Sequence, residues 1–331
     1  MPADRVLLTG FPGFLGSELV RRILRRPGDP KVVCLVQEKF AGLARERAAE
    51  IAAAEKVAKN RIELVAGDIT RSGLGLDDAR AAARGVGEIF HLAAVYDLSV
   101  RREVAMKVNV EGTKNVLDFA ATCSRLGRLQ YVSTCYVSGR WAGIFREDDL
   151  EKGQSFNNHY EETKYLAEIE VRRHMDGGMP ATIYRPGIVV GDSVTGETQK
   201  YDGPYYVLRW LLKQPTLAVL PVPLGVDRLR GNLVPRDFVV GAIDALSTAA
   251  ASAGRCYQLA DPDPPTIDET IRLMGRATGR IVVRTPMPVG VAKAAIAHVP
   301  GVYRLMGIPA EAVVYFAHPT FYDTTHARRD L

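Results

Sequence analysis

Tyr160 and Lys164 stand four residues apart in the run Tyr160-Glu161-Glu162-Thr163-Lys164. On a helix this spacing places a phenol and an ammonium one above the other on a single face. A free tyrosine titrates near ~10 and is a poor acid or base at neutral pH. A neighbouring ammonium favours the phenolate and draws that pKa toward the working range. Such a pair exchanges a proton with a substrate oxygen while a hydride moves at the adjoining carbon. Two solvated residues on a polar helix show the same spacing, so the rest of the chain decides what it is worth.

The elements that would position the pair begin with Val6-Leu7-Leu8-Thr9, a short apolar strand. It runs straight into Gly10-Phe11-Pro12-Gly13-Phe14-Leu15-Gly16 and a helical pattern over residues 17–26. Strand, glycine turn and helix in succession are the setting of a dinucleotide fingerprint. Gly10 permits the tight turn, Gly13 lets a pyrophosphate approach the backbone, and Gly16 lets helix pack closely on strand. The helix N-terminus adds amide donors and positive potential for phosphate. Residues 31–36 form the second strand, which ends in Val36-Gln37-Glu38-Lys39. Gln37 occupies the position where NAD-preferring sites carry an acid for the ribose 2′-hydroxyl. Lys39 is placed to meet a 2′-phosphate, so NADP(H) is expected in preference to NAD(H). Arg45 and Arg47, in a long helix over residues 41–59, are further cations or solvated surface charge.

The third strand, residues 61–65, ends in Gly67-Asp68-Ile69. Asp68 either binds an adenine amino group or caps the next segment. The fourth, residues 88–92, ends in His91-Leu92-Ala93-Ala94. Ala93 and Ala94 leave room for a cofactor, and His91 is read as packed in the strand. Asn109 opens a helix running to about Cys123, as its N-cap, as a packing amide, or as the holder of a relay water. The fifth strand, residues 129–132, leads to Ser133-Thr134-Cys135-Tyr136 at its carboxyl end, where open α/β sheets bind ligands. After a polar loop over residues 143–158, Asn158 or His159 caps the helix of Tyr160 and Lys164, expected to run to about His174. The sixth strand, residues 181–185, ends at Pro186, which removes a donor and stops the pairing. Gly187 and Ile188 are expected to present backbone to a nicotinamide carboxamide.

The pattern changes near Asp192. Tyr201 and Tyr205, with Tyr96, Ser133, Cys135 and Tyr136, are the candidate substrate wall. Residues 1–191 are expected to form an NAD(P)-binding domain and residues 192–331 mainly a substrate lobe, with segments about 232–260 returning to the first. The fold class is α/β: a Rossmann-type, doubly wound parallel sheet with a smaller C-terminal lobe. After Val283 an apolar, proline-interrupted run to about Pro319 suits a greasy tunnel, an oligomer contact or a membrane-surface face. The chain stops at Leu331 with no terminal element in view, which leaves a longer parent protein open.

Apolar residues are 47% and charged residues 24% of 331, ample for a packed core in a soluble protein. The net charge of +5 is spread along the chain without a Lys/Arg block, so no nucleic-acid partner is expected. Cys34, Cys123, Cys135 and Cys256 lack metal or redox spacing and read as buried free thiols in a reducing compartment. No metal and no spanning helix are expected. A strand beginning at Arg5 leaves no room for a signal peptide, so a cytoplasmic location is expected.

Taken together the chain resembles the extended short-chain dehydrogenases/reductases. The resemblance rests on Thr9-Gly10-x-x-Gly13-x-x-Gly16, Asp68-Ile69, His91-Leu92-Ala93-Ala94, Asn109-Val110-x-Gly112-Thr113, Ser133-Thr134 and Tyr160-x-x-x-Lys164, in order over about the first 190 residues. Gly13-Phe14-Leu15-Gly16, Val132-Ser133-Thr134-Cys135-Tyr136-Val137 and Tyr160-Glu161-x-Thr163-Lys164-x-x-Ala167-Glu168 are similar to the thioester-reductase branch, which includes fatty acyl-CoA reductases. Arg185-Pro186-Gly187-Ile188-Val189-Val190-Gly191-Asp192-Ser193 and Phe321-Tyr322-Asp323-Thr324-Thr325 match more loosely. The resemblance implies that Thr134 orients the substrate oxygen and Tyr160 is the acid/base. It implies that Lys164 lowers the Tyr160 pKa and binds the nicotinamide ribose, with Asn109 supporting the relay. A dimer is common in the family. Gln37 and Lys39 depart from the arginine many thioester reductases place there, and no carrier-protein domain is visible. The expected activity is NADPH-dependent reduction of an acyl-CoA or derived aldehyde. Alternatives are a lipid or steroid alcohol/ketone dehydrogenase, a nucleotide-sugar epimerase or dehydratase, and a non-enzymatic NADP(H) sensor.

Overall fold

A computed structural model describes residues 4–222, 224–225, 227–299, 304, 306–309, 313, 315 and 318–331. Parts of the apolar run expected to reach Pro319 lie outside them. The strands, in chain order, are β1 (Arg5–Thr9), β2 (Lys31–Val36), β3 (Ile62–Ala66), β4 (Val86–His91), β5 (Arg128–Val132), β6 (Gly143–Phe145), β7 (Ala181–Pro186), β8 (Ile188–Val190), β9 (Leu217–Val222), β10 (Leu233–Pro235), β11 (Cys256–Leu259), β12 (Ile281–Pro286) and β13 (Thr320–Tyr322). Seven of them form one sheet, in the order β11-β7-β5-β4-β1-β2-β3, with every pairing parallel. The order reverses between β1 and β4, and the carboxyl ends of these two strands flank the place where such sheets bind ligands.

Parallel strands are covered on both faces, which is why they read as continuous apolar runs rather than alternating ones. Val6, Leu8, Val32 and Cys34 face one layer, which holds α1 (Phe14–Leu24) and α2 (Ala41–Ala54). Leu7, Val33, Ile89, Leu129 and Tyr131 face the other. After α2 the chain forms two short helices, α3 (Ala79–Ala83), whose Ala83 packs in that second layer, and α4 (Arg102–Ala105). The second layer holds α5 (Gly112–Thr122) and α6 (His159–Asp176). In the C-terminal part, α7 (Pro204–Leu212) is followed by α8 (Arg236–Thr248), whose Val239, Val240, Ile243 and Leu246 join the α1 layer. Then come α9 (Ile267–Thr278), started by a reciprocal Thr266/Glu269 capping box, α10 (Val289–His298) and α11 (Thr325–Asp330).

Four local expectations are corrected. The second helix stops at Ala54, short of Lys59. Asn109 does not open a helix: α4 runs through a π-helical turn, Met106–Glu111, directly into α5. The polar stretch after Gly143 contains β6, which pairs with β13, and β9 pairs in parallel with β12. The last residues form α11, where Ala327 is buried and Asp330 accepts from the Tyr257 hydroxyl at 2.7 Å. These pairings join segments far apart in sequence, so local periodicity did not show them.

Candidate active site

Asn158 starts α6, its side chain accepting from the Glu161 amide at 3.0 Å. Tyr160 and Lys164 follow one turn apart on that helix, at its N-terminal end. Tyr160 is half-buried, and Lys164 is only 4% exposed. Burial pushes the phenol up to about 12, partly countered by a hydrogen bond with the Thr134 hydroxyl. The Lys164 ammonium does not turn to the phenol: it donates to the Tyr131 hydroxyl at 2.9 Å and to the Val132 carbonyl at 2.8 Å. This corrects the expectation that Lys164 lowers the Tyr160 pKa. Helix spacing sets the two side chains on one face, but the lysine stem reaches down to the end of β5. The phenol therefore stays protonated at neutral pH, the form that gives a proton to a developing oxyanion.

The strand-end residues divide. Thr134 stays beside Tyr160 and also accepts from the Tyr136 amide at 3.3 Å. Ser133 donates to Glu168 at 2.6 Å, and the Cys135 thiol donates to the Arg185 carbonyl at 3.0 Å. Both are buried with their polar atoms committed inside the protein, so neither offers them to a substrate. Tyr136 packs against Tyr315 and His318, with ring centroids 4.8 Å away in each case. It lines a cavity of about 30 Å³ with Arg230, Asn232, Asp261, His318 and Tyr322. Asn109, 1% exposed, spends its amide on Val95 backbone (2.8 and 3.0 Å) and on the Thr163 hydroxyl (3.0 Å). It braces the loop after β4 against α6, the packing role among those foreseen.

The glycine turn is built around one carbonyl. A Cβ at Gly13 or Gly16 would stand 2.7 or 2.6 Å from the Gly10 oxygen. Gly10 has φ +97°, and a Cβ there would meet Leu92 and Ala93 at 3.0 Å. Helix α1 starts on Gly13 with no side chain capping it, so its first amides face the turn. Phe11 is buried, and Phe14 lies under the Arg236 guanidinium, 5.3 Å away. These residues, with Pro12 and Leu15 in the same turn, fit a dinucleotide pyrophosphate.

At the adenosine end, Asp68 accepts from the Thr70 amide at 2.8 Å. Against its burial, hydrogen bonds from Thr70 and Gln37 and the Arg71 guanidinium hold it below the usual carboxylate range. Lys39 is exposed, 4.9 Å above the Phe40 ring. Arg71 was not singled out from the sequence, because it lies past the strand end where such cations are sought. Ile69 is core, packed under Gly112. The Gly187 and Ile188 amides are spent on Leu259 and Asn232 carbonyls at 3.1 and 2.8 Å, and Pro186 is the last residue of β7. Those two amides are therefore unavailable to a carboxamide. Tyr96 (54% exposed) and Tyr201 (62%) face outward, with Lys200 over the Tyr96 ring at 3.6 Å. Tyr205 instead braces the chain, its hydroxyl accepting from the Gly191 amide at 2.8 Å.

The chain as a whole is matched by known proteins. The NAD-binding family profile described as male sterility protein matches residues 8–243. The chain belongs to that family. It is an extended short-chain dehydrogenase/reductase of the thioester-reductase branch, an NAD(P)-dependent oxidoreductase. The terminal R domain of the myxalamid PKS-NRPS pathway superposes with a TM-score of 0.81 at 28% identity, covering 100% of this chain and 85% of that one. Among curated relatives, the non-canonical nonribosomal peptide synthetase FrzA of Cladobotryum sp is 28% identical over 82% of this chain and 28% of its own length. The aldehyde reductase lnbA of Aspergillus flavus is 27% identical over 85% of this chain and 29% of its own. The chain thus spans less than a third of the length of these two relatives.

Proposed function

We propose that this family member is an NADPH-dependent reductase of an acyl thioester, acyl-CoA being the free form, or of the aldehyde derived from it. The observation that carries the reading is the Tyr160 phenol set beside the Thr134 hydroxyl, with the Lys164 ammonium bound to the Val132 carbonyl at the end of β5. A dinucleotide held at the Gly10–Gly16 turn would supply a hydride to the carbonyl carbon. Thr134 and Tyr160 donate to the oxygen as charge develops on it. Tyr160 then gives its proton, and a hemithioacetal from a thioester collapses to aldehyde and thiol. Lys164, held at the end of β5, would lend positive charge to the site and bind the nicotinamide ribose. Residues 1–191 carry the cofactor in this reading, and residues 192–331 supply most of the substrate wall, with Tyr96 and Tyr201 at its rim. Gln37 and Arg71 beside Asp68, with Lys39 just past the end of β2, support a 2′-phosphate. Four buried free cysteines support a reducing, cytoplasmic setting. Among the described residues, no helix is long and apolar enough to cross a membrane.

The similarity to a synthase R domain favours a second form of the same reading, in which a carrier protein presents the thioester. The test is oxidation of NADPH and of NADH with a long-chain acyl-CoA, with a carrier-bound acyl group and with the matching aldehyde. It is run beside Tyr160→Phe, whose kcat is expected to drop about 10²–10⁴-fold. NADPH turnover lost in the variant supports the reading. Tight cofactor binding without turnover of any of the three would overturn it.

A further inference from the structure

Among the described residues, no carboxylate forms an ion pair with the Lys164 ammonium. Its acceptors are the Tyr131 hydroxyl and the Val132 carbonyl, and its charge lies 4.4 Å from the Tyr131 ring centroid. Behind Tyr131 runs a buried line of side chains. Tyr131 is hydrogen-bonded to Thr113. Thr113 Oγ1 lies 3.0 Å from His91 Nε2 and donates to the Asn109 carbonyl at 2.6 Å. His91 Nδ1 lies 2.8 Å from Thr9 Oγ1, which accepts from the Ala93 amide at 3.2 Å. None of Thr9, His91, Thr113 and Tyr131 is more than 2% exposed.

Proton accounting orients this line. The short contact gives the Thr113 proton to Asn109, so Thr113 Oγ1 is an acceptor toward His91. His91 then carries its proton on Nε2, and Nδ1 receives the Thr9 hydroxyl proton. Tyr131 turns its hydroxyl oxygen to Lys164 as an acceptor.

We propose that Tyr131 is a positioning residue for Lys164, and that Thr113, His91 and Thr9 orient its hydroxyl and tie the lysine to the cofactor turn. The inference rests on the reading of Lys164 as part of the reductase machinery. A neutral support has a consequence that a carboxylate would not. Burial brings Lys164 down to about 7, with Glu168 the opposing influence. Of the titratable groups around it, His91 on β4 is held down to about 3 by burial and by Lys164 itself. Burial raises Tyr131 on β5 and Tyr160 on α6, so both are neutral. Glu168 on α6 is engaged by Arg185 on β7 and by Arg172. The charged form of Lys164 is thus opposed by burial, and the Tyr131 hydroxyl and Val132 carbonyl accept its protons.

Tyr131→Phe removes that oxygen and keeps the ring. The expected result is a folded protein with kcat lowered about tenfold or more and substrate KM little changed. The alkaline limb of its pH profile moves down by about one unit, because an acceptor of the ammonium is lost. A second readout needs no turnover. The Lys164 signal of protein carrying ¹³Cε-lysine, assigned with Lys164→Met, is titrated in wild type and variant and should move in the same direction. If both the limb and the lysine titration of Tyr131→Phe match wild type, Tyr131 does not hold Lys164 and the inference is wrong. Should that variant not fold, Thr113→Val, which removes the hydroxyl bonded to Tyr131, is measured in the same way with the same two outcomes. An inactive wild type would sink the reductase reading, whereas the lysine titration would still judge Tyr131.

Discussion

At the residue scale the site runs on a division between groups that face the crevice and groups that hold them. Thr134 belongs to the first kind. Its hydroxyl is the one influence lowering the Tyr160 phenol against burial, and its oxygen also caps the short turn at Cys135–Ser138. Thr134→Val is expected to cut kcat by about 10–100-fold, the size of one lost oxyanion donor or less, with NADPH affinity retained. Single-turnover kinetics beside cofactor titration checks this, and an unchanged kcat would remove Thr134 from the chemistry. Much of this arrangement was legible in advance. Tyr160, Lys164 and Thr134 come together as their spacing and strand-end position required. Ser133 and Cys135 turn inward, and nothing local distinguishes them from Thr134, because a strand end alternates its side chains and the winner depends on Glu168 and Arg185. Tyr131 went unread for a related reason. The one available signal was a tyrosine two residues before Ser133, on the same face of the strand as Leu129.

At the element scale, α6 is pinned to β7 and to the end of β5 by a charge cluster centred on the buried Glu168–Arg185 pair. Glu168 receives Arg185 at 2.6 and 3.1 Å, Arg172 at 3.1 Å and Ser133 at 2.6 Å, and neither Glu168 nor Arg185 has exposed side chain. Against its burial, the two arginines hold Glu168 down to about 2. Its ordinary value is 4.5, so the folded pKa is depressed. The stabilisation it gives is complete above 4.5 and is lost as pH falls through about 2. Glu168→Gln leaves the Arg185 guanidinium buried without its counter-charge and should cost about 3–5 kcal/mol. Urea unfolding at pH 7 measures that loss, and the variant should also lack the wild-type fall in stability over the acid window. A loss well under 1 kcal/mol would mean that Arg185 finds other partners. Since α6 carries Tyr160 and Lys164, this cluster is what sets their height over the sheet.

At the scale of the whole molecule, one parallel sheet puts the glycine turn, the β4 end and the β5 end along a single edge, and the C-terminal elements close around it. Binding of the right cofactor should therefore register as global stability. Ligand at about 100 times its Kd adds about 2.7 kcal/mol. NADPH is expected to raise the melting temperature more than NADH at equal concentration, with the difference shrinking in Lys39→Ala and Arg71→Ala. Equal shifts for the two cofactors would return the preference to open. By itself the sequence determined the parallel strands, the glycine turn and the helix with its Tyr/Lys pair. Each of these follows from steric limits and periodicity within about twenty residues. Only the tertiary structure decided where the Lys164 ammonium goes, which strand-end hydroxyl meets Tyr160, that β9 finds β12, and that a π-helical turn carries Asn109. Those outcomes turn on buried polar groups finding partners far along the chain, as Lys164 finds Tyr131 at a separation of 33 residues. A buried donor must be satisfied by whatever folding brings to it, and that is settled by packing rather than by local spacing.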